Sequence, residues 1–303
     1  MYYSGLSNNY CIMPTSAIIN PLFGYHGNGY VIALNGGITT GNEFLSLGST
    51  PDLHFTEADF NTDGVTVSAW VYFTGSVGGS QPIVTIGKAG TNNRYGMVCQ
   101  INSVNKPQMH LQGLNGGVAG SGSNNRRTRV ATAAISGDRW NHITWVFDGG
   151  VTAGTTAANW KIYVDGVAQA TNNSGTNASL TLNYISFSSI GYNGGTGGSA
   201  QYWGKTAGGF LGDVTIHKTV LSATAISEQF ATLAASRGID WLLPTTNYTA
   251  ANIATLKAWW QMGSPIGTKT YPTIYEEQNL LTGYNGIMTN MVSGDIVDTP
   301  LWG

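Results

Sequence analysis

Val65-Thr66-Val67-Ser68-Ala69-Trp70-Val71-Tyr72-Phe73 alternates with a period of two along its whole length. Val65, Val67, Ala69, Val71 and Phe73 fall on one face and Thr66, Ser68, Trp70 and Tyr72 on the other, the side-chain geometry of a β-strand. Working outward, short runs of the same kind recur between Gly- and Asn-rich clusters: Phe44 to Leu47, Ile83 to Ile86, Tyr95 to Ile101, Gln108 to Gln112, Arg129 to Ala133, Asn141 to Phe147, Lys161 to Val164, Ile185 to Ile190 and Asp213 to His217. That spacing predicts an all-β sandwich, with Val67, Ala69, Val71, Ile143, Trp145, Ile162 and Val164 in its core. Asp165-Gly166 marks a hairpin, because glycine tolerates the positive φ of a tight turn. One helix is predicted from Ser222 to Ala234, where Ile226, Phe230 and Leu233 share a face behind a Ser222 cap, and a short second one from about Ala250 to Lys257.

Composition narrows the function. The 303 residues carry 13 Lys plus Arg, 15 Asp plus Glu and a net charge of −2, and 9% are charged, where soluble domains usually hold about 25%. Glycine (42 residues), Thr, Ser and Asn build the surface instead, while 42% hydrophobic residues suffice for a large core. Without a basic excess to neutralise phosphates, nucleic acid is not an expected partner, and without an apolar run of about 20 residues no membrane insertion is expected. Residues 1–20 lack the basic and apolar regions of a signal peptide, so no export is expected. Cys99 alternates with Met97 and Ile101, which favours a buried free thiol over a bridge to Cys11.

Several stretches together resemble a known family. Val65 to Val71, Ile86-Gly87-Lys88, Asp138 to Gly149 (DRWNHITWVFDG), Ile162 to Val167 (IYVDGV), Ile190-Gly191 and Gly209 to Ser222 (GFLGDVTIHKTVLS) follow the order found in laminin-G-like, concanavalin A-like jelly-roll domains. The resemblance implies two packed antiparallel sheets over about Tyr30 to Ala235, preceded by an N-terminal arm (1–29) and followed by a C-terminal extension (236–303) that packs on the sandwich or on a neighbouring subunit. It also implies a calcium site at the rim in many relatives, which Gly212 puts in doubt here, since an acidic residue usually stands there and Asp213 comes one place later. No cofactor is expected and the metal ligands stay unknown. The stretches from Leu256 to Gly263, Tyr271 to Tyr275 and Asn285 to Met291 resemble segments beside such domains in structural proteins of marine bacteriophages.

Glycoside cleavage needs two carboxylates flanking the scissile bond, which the hydrolase relatives present in an E-x-D-x-E or E-x-D-x-x-E pattern. Glu57-Ala58-Asp59-Phe60-Asn61-Thr62-Asp63 approaches it but lacks the second Glu, and is read as a polar loop. The five histidines show no metal-ligand spacing, and His142 reads as a satisfied sheet residue. Tyr192, Tyr202 and Trp203, in a Gly-rich loop, offer flat faces for sugar stacking, with a fold-back of Trp203 onto the core edge as the equal alternative. Asn124 to Arg129 forms the basic cluster. It reads first as a solvated loop edge, and otherwise as a contact for nucleic acid, an acidic glycan or a neighbouring subunit.

The reading as a whole is a non-enzymatic virion structural protein, a capsid decoration or appendage component assembled in the host cytoplasm. Its lectin-like domain would bind a host-surface glycan, and its partners would be other virion proteins and further copies of itself. The alternatives are a free lectin-like module and a glycoside hydrolase or lyase of the same fold. Trp259, Trp260, Trp302, Arg126 and Arg127 are the expected assembly contacts, so a chain ending near Ala235 would keep its sandwich and lose assembly.

Overall fold

The computed structural model describes residues 30–34, 43–48, 55–56, 58–88, 95–112, 126–149, 159–175, 188–193, 201–202, 209–235, 241–260, 273–274, 286–289 and 296–298, with Leu53 and Met262. They form two antiparallel sheets. The first has the order β10 (Val167–Ala168), β9 (Lys161–Val164), β8 (Asn141–Phe147), β3 (Val65–Phe73), β15 (Gly209–His217), β1 (Tyr30–Leu34) and β19 (Ile296–Asp298), with β16 (Leu256–Trp260) also paired to β15. The second has the order β11 (Thr171–Gly175), β7 (Arg126–Ala131), β6 (Pro107–Gln112), β5 (Tyr95–Ile101), β4 (Gln81–Lys88), β12 (Ser188–Ile190), β2 (Phe44–Gly48), β18 (Gly286–Thr289) and β17 (Thr273–Ile274).

The face of β3 that holds Val65, Val67, Ala69, Val71 and Phe73 closes onto the second sheet. It packs in one cluster with Ile143, Trp145, Phe147, Leu211, Ile216 and Trp260, and with Val84, Ile86, Met97, Cys99, Met109 and Leu111 of the second sheet. Val164 is partly buried against that core. Cys99 is a free, fully buried thiol whose pKa burial pushes up; Cys11 lies outside the described residues.

The opposite face of β3 is buried too. Trp70 and Tyr72 join Trp140, Val146 and Tyr163 under α1 (Ala223–Ala235) and under Trp241, Tyr248, Leu256 and Trp259. Ser222 caps α1 as predicted, its Oγ accepting the Ala225 N–H at 3.1 Å. Glu228 on that helix holds the following segment, its carboxylate accepting from Thr245 Oγ1 (2.8 Å) and from the N–H groups of Thr246, Asn247 and Tyr248 (3.2, 2.5 and 3.2 Å). The Asp165-Gly166 turn carries φ of 50° and 75° and joins β9 to β10. Asp165 pairs with Arg139 and accepts the His142 N–H at 2.9 Å. A Cβ on Gly166 would lie 3.2 Å from Phe230 Cβ, so glycine also lets α1 sit close.

Three expectations change. The second helix, α2 (Ala250–Ile253), stops there because Leu256 to Trp260 pair with His217 to Val214 of β15 and the edge bonding wins over helix continuation. β7 begins at Arg126, so the basic cluster is a strand and not a solvated loop edge. Arg127 stands opposite Leu111 on the core face, 2% exposed. Trp259 and Trp260, expected against the sandwich or at a neighbouring subunit, take the first course and are 2% and 0% exposed, because Trp259 caps the outer layer and Trp260 fills the core of their own chain. Trp302 lies outside the described residues. Since β16, β18 and β19 add strands to both sheets, a chain ending near Ala235 would lose part of the sandwich itself.

His142 and His217 sit in the outer layer. The His142 ring packs against Trp70 (5.0 Å) and Phe230 (6.1 Å), and neither ring nitrogen has a hydrogen-bond partner, unlike the satisfied histidine expected from sequence. His217 Nε2 lies 2.8 Å from the Tyr248 hydroxyl, which itself donates to the Trp241 carbonyl at 3.2 Å, so the imidazole is the donor. Burial pushes both imidazoles down to about 3.

Trp145→Ala should cost about 3–5 kcal/mol, as aromatic truncation in a packed core does; denaturant unfolding measures it, and a loss near zero would contradict this packing. Buried neutral histidines also tie stability to pH. Their folded pKa lies below the unfolded one, so the stabilisation is complete above about pH 6.5 and is lost as pH falls toward 3. Between pH 6.5 and 5, stability should fall with a slope approaching about 1.4 kcal/mol per pH unit per buried histidine. A flat profile in unfolding titrations over that window would show that the rings are not held neutral.

Candidate functional site

Each sheet has one face on the core and one turned away from it. On the first sheet the outer face is covered by α1 and the segment after it, which bury Trp70, Tyr72 and Val146 beside Thr66, Ser68, His142 and Thr144. On the second sheet the chemistry is different, and the strand register arranges it in transverse rows. One row runs Ser174, Thr128, His110, Val98, Thr85, Ser189 and Ser46, each directly opposite the next. A second holds Asn172, Val130, Gln108, Gln100 and Pro82, and a third Arg126, Gln112, Gly96 and Gly87. These positions alternate along each strand with core residues Met97, Cys99, Met109 and Leu111, so period two sends them to the outer face.

The central residues of this face are polar and buried: Thr85, Gln100, His110 and Thr128 are 5%, 4%, 3% and 1% exposed. Thr85 Oγ1, Gln100 Oε1, His110 Nδ1 and Thr128 Oγ1 all lack a hydrogen-bond partner. Such a group costs about 1–3 kcal/mol when left unsatisfied, and the outer face of the first sheet carries groups of the same kind at His142 Nδ1 and Nε2 and at Thr144 Oγ1. Burial, helped by the charge of Arg126, pushes His110 down to about 3. The ring is therefore neutral and offers one donor and one acceptor. Fixed donors and acceptors of both kinds, held on a rigid sheet, suit a ligand rich in hydroxyl groups.

Thr85→Val and Thr128→Val should each raise stability by about 1 kcal/mol, since each removes an unsatisfied buried hydroxyl at nearly constant shape. Thermal unfolding of the two variants measures this, and a clear loss would show that the hydroxyls are already bonded.

The residues singled out from sequence are distributed elsewhere. Tyr192 and Tyr202 stand opposite each other in the hairpin of β13 (Tyr192–Asn193) and β14 (Gln201–Tyr202). The chain enters that hairpin beside β4, where the Gly191 N–H donates to the Ile83 carbonyl at 2.9 Å. Their side chains and Trp203 lie outside the described residues. Asp59, in the stretch weighed for catalysis, accepts the Thr56 N–H at 2.6 Å and pairs with Lys218 at 2.6 Å. Burial would raise its pKa, but Lys218 and Thr56 outweigh burial and lower it. Lys218 also lies 3.9 Å from Asp63, so this stretch is held as a structural turn; Glu57 and His54 are outside the described residues. Asp213 is the extra residue of a bulge between Gly212 and Val214, with its side chain buried. Among the described residues no three of His, Cys, Asp and Glu come together as a metal site.

A family model described as the concanavalin A-like lectin/glucanase superfamily matches residues 47–227. The chain belongs to this superfamily. The match spans the central strands β3 to β15, which carry the rows described above. The resemblance read from the motifs and the two-sheet architecture agree with it. A Bacteroides ovatus protein assigned to carbohydrate binding shares the superfamily fold at 14% identity and TM-score 0.50, over 88% of this chain and 59% of that one. A heptameric pentraxin of Limulus polyphemus aligns at 16% identity and TM-score 0.42, over 70% and 86% of the two chains. No curated protein matches the sequence. The superfamily contains both lectins and glucanases, so membership leaves the choice between binding and cleavage to the chain's own residues.

Proposed function

We propose that this protein is a non-enzymatic, carbohydrate-binding lectin-like module whose ligand lies on the outer face of the second sheet. What supports this reading is the outer face of the second sheet, where the register aligns the neutral polar residues Asn172, Gln108, Gln100, Thr128, His110 and Thr85. Sugar hydroxyls are both donors and acceptors and match such a set in number and kind. Cleavage would need a pair of carboxylates beside the ligand, and the outer-face positions of β4 to β7, β11 and β12 hold no Asp or Glu. Tyr192, Tyr202 and Trp203 would add stacking surface.

Shallow protein–sugar contacts gain strength from many copies on one support. A virus particle provides such a support, and the likeness of the stretches from Leu256 to Gly263 and Asn285 to Met291 to marine-phage structural proteins supports a role as a virion decoration or appendage component. Mass spectrometry of purified particles tests that assignment directly.

Displayed multivalently on a glycan array, the protein should retain a defined set of sugars. The Gln100→Leu, Thr128→Val double variant, still folded, should lose at least about tenfold in apparent affinity, the value of one to two lost hydrogen bonds. Unchanged binding by that variant would move the site elsewhere, and turnover of any retained glycan would contradict the non-enzymatic assignment.

A further inference from the structure

On one side of the sandwich both sheets end in a single continuous stretch of chain. Val167-Ala168-Gln169-Ala170-Thr171-Asn172-Asn173-Ser174-Gly175 runs from β10, the last strand of the first sheet, into β11, the last strand of the second. The Ala170 carbonyl accepts the Thr132 N–H at 2.8 Å, and Thr171 stands opposite Ala131. Antiparallel pairing alternates, so Ala170, Asn172 and Ser174 turn their backbone groups toward β7, while Thr171, Asn173 and Gly175 turn theirs outward. This edge is open. Ala168, Ala170, Asn172 and Asn173 are exposed, Val167 is 64% exposed, and among the described residues no further strand pairs with it. Native sheet edges are usually blunted by charge or proline, and the opposite ends of both sheets follow that rule. In sequence, β17 is preceded by Pro272 and followed by Glu276-Glu277, and β19 carries Asp298 between Asp295 and Pro300. Residues 167–175 hold neither a charge nor a proline.

We propose that this edge is where two copies of the chain associate, β11 pairing antiparallel with β11 of a second copy across a two-fold axis. A two-fold contact joins the same surface of both copies, so it needs a self-complementary strand. β11 meets that need: with Asn173 opposite the partner's Asn173 and Thr171 opposite the partner's Gly175, the outward N–H and C=O groups meet their complements. Val167 and Ala168, exposed beside it on β10, add apolar contact. A neutral edge sets no like charges against each other when it meets its own copy, and it offers no complement to a charged partner. Arg129 of β7 bonds the Asn173 side chain and steadies the residue at the axis. A contact this narrow is smaller than a standard interface, so the affinity is on the order of micromolar. The inference is independent of the carbohydrate reading.

Sedimentation velocity of the full chain should show a monomer–dimer equilibrium that shifts across roughly 1–100 μM. Val167→Lys combined with Asn173→Pro should weaken the dimer at least about tenfold, since lysine puts a cation on each side of the contact and proline removes an outward N–H that β7 does not use. Asn173→Cys should cross-link into a covalent dimer on mild oxidation, because paired Cα atoms lie about 5.5 Å apart. Asn172→Cys, out of register with its own copy, should not. In hydrogen exchange the Thr171 and Asn173 amides should slow as concentration rises. A protein that stays monomeric at about 100 μM overturns the proposal and leaves the edge to a different occupant. A dimer that the double variant leaves unchanged, or that cross-links equally well through Asn172→Cys, overturns it too. If the double variant does not fold, the two cysteine variants and the amide exchange of the unaltered chain decide the matter.

Discussion

Everything in this fold depends on β3 being buried on both faces. A strand whose two faces are both buried must lie in the middle of three layers, and β3 does: the second sheet lies against Val65, Val67, Ala69, Val71 and Phe73, and α1 with its following segment lies against Trp70 and Tyr72. Its partner β15 carries the arrangement onward. β15 pairs along its length with β3, and its other edge is divided between β1, opposite Gly209 to Leu211, and β16, opposite Val214 to His217. The N-terminal and C-terminal parts of the described chain are thereby fixed to one strand.

That constraint also separates the two outer faces. The first gathers Trp and Tyr against a helix, with Thr66, Ser68, His142 and Thr144 beside them, and the second gathers Thr, Gln, Ser, His and Arg in register. Holding unsatisfied groups there works against stability.

The strand order and the core were legible because alternation is a local signal. Val65 to Phe73, Tyr95 to Ile101, Asn141 to Phe147 and Lys161 to Val164 lie where the period-two pattern puts them. Pairing between distant strands left no such local trace. Leu256 to Trp260 reads as a helix end or an exposed patch until the edge of β15 is seen beside it. Arg126 to Arg129 reads as a surface cluster until register places Arg127 opposite Leu111. The candidate site was hidden for the same reason. Gln108, His110, Thr128 and Thr85 are unremarkable polar residues in four different stretches, and antiparallel register alone brings them into neighbouring rows. The one signal in the sequence was the polar–apolar alternation of Gln108-Met109-His110-Leu111-Gln112.

The account turns on whether a glycan meets the second sheet at His110. Of the five histidines, His110 lies on the proposed binding face, while His142 and His217 are sealed under the aromatic layer of the opposite sheet and serve as internal references. The most direct measurement is long-range 1H–15N correlation of the imidazole rings during titration with a glycan that the protein retains on an array. The account predicts a saturable shift of the His110 nitrogens, with Nδ1 changing as it gains a hydrogen bond, and stationary His142 and His217 signals. A bound glycan that leaves His110 unmoved would contradict it.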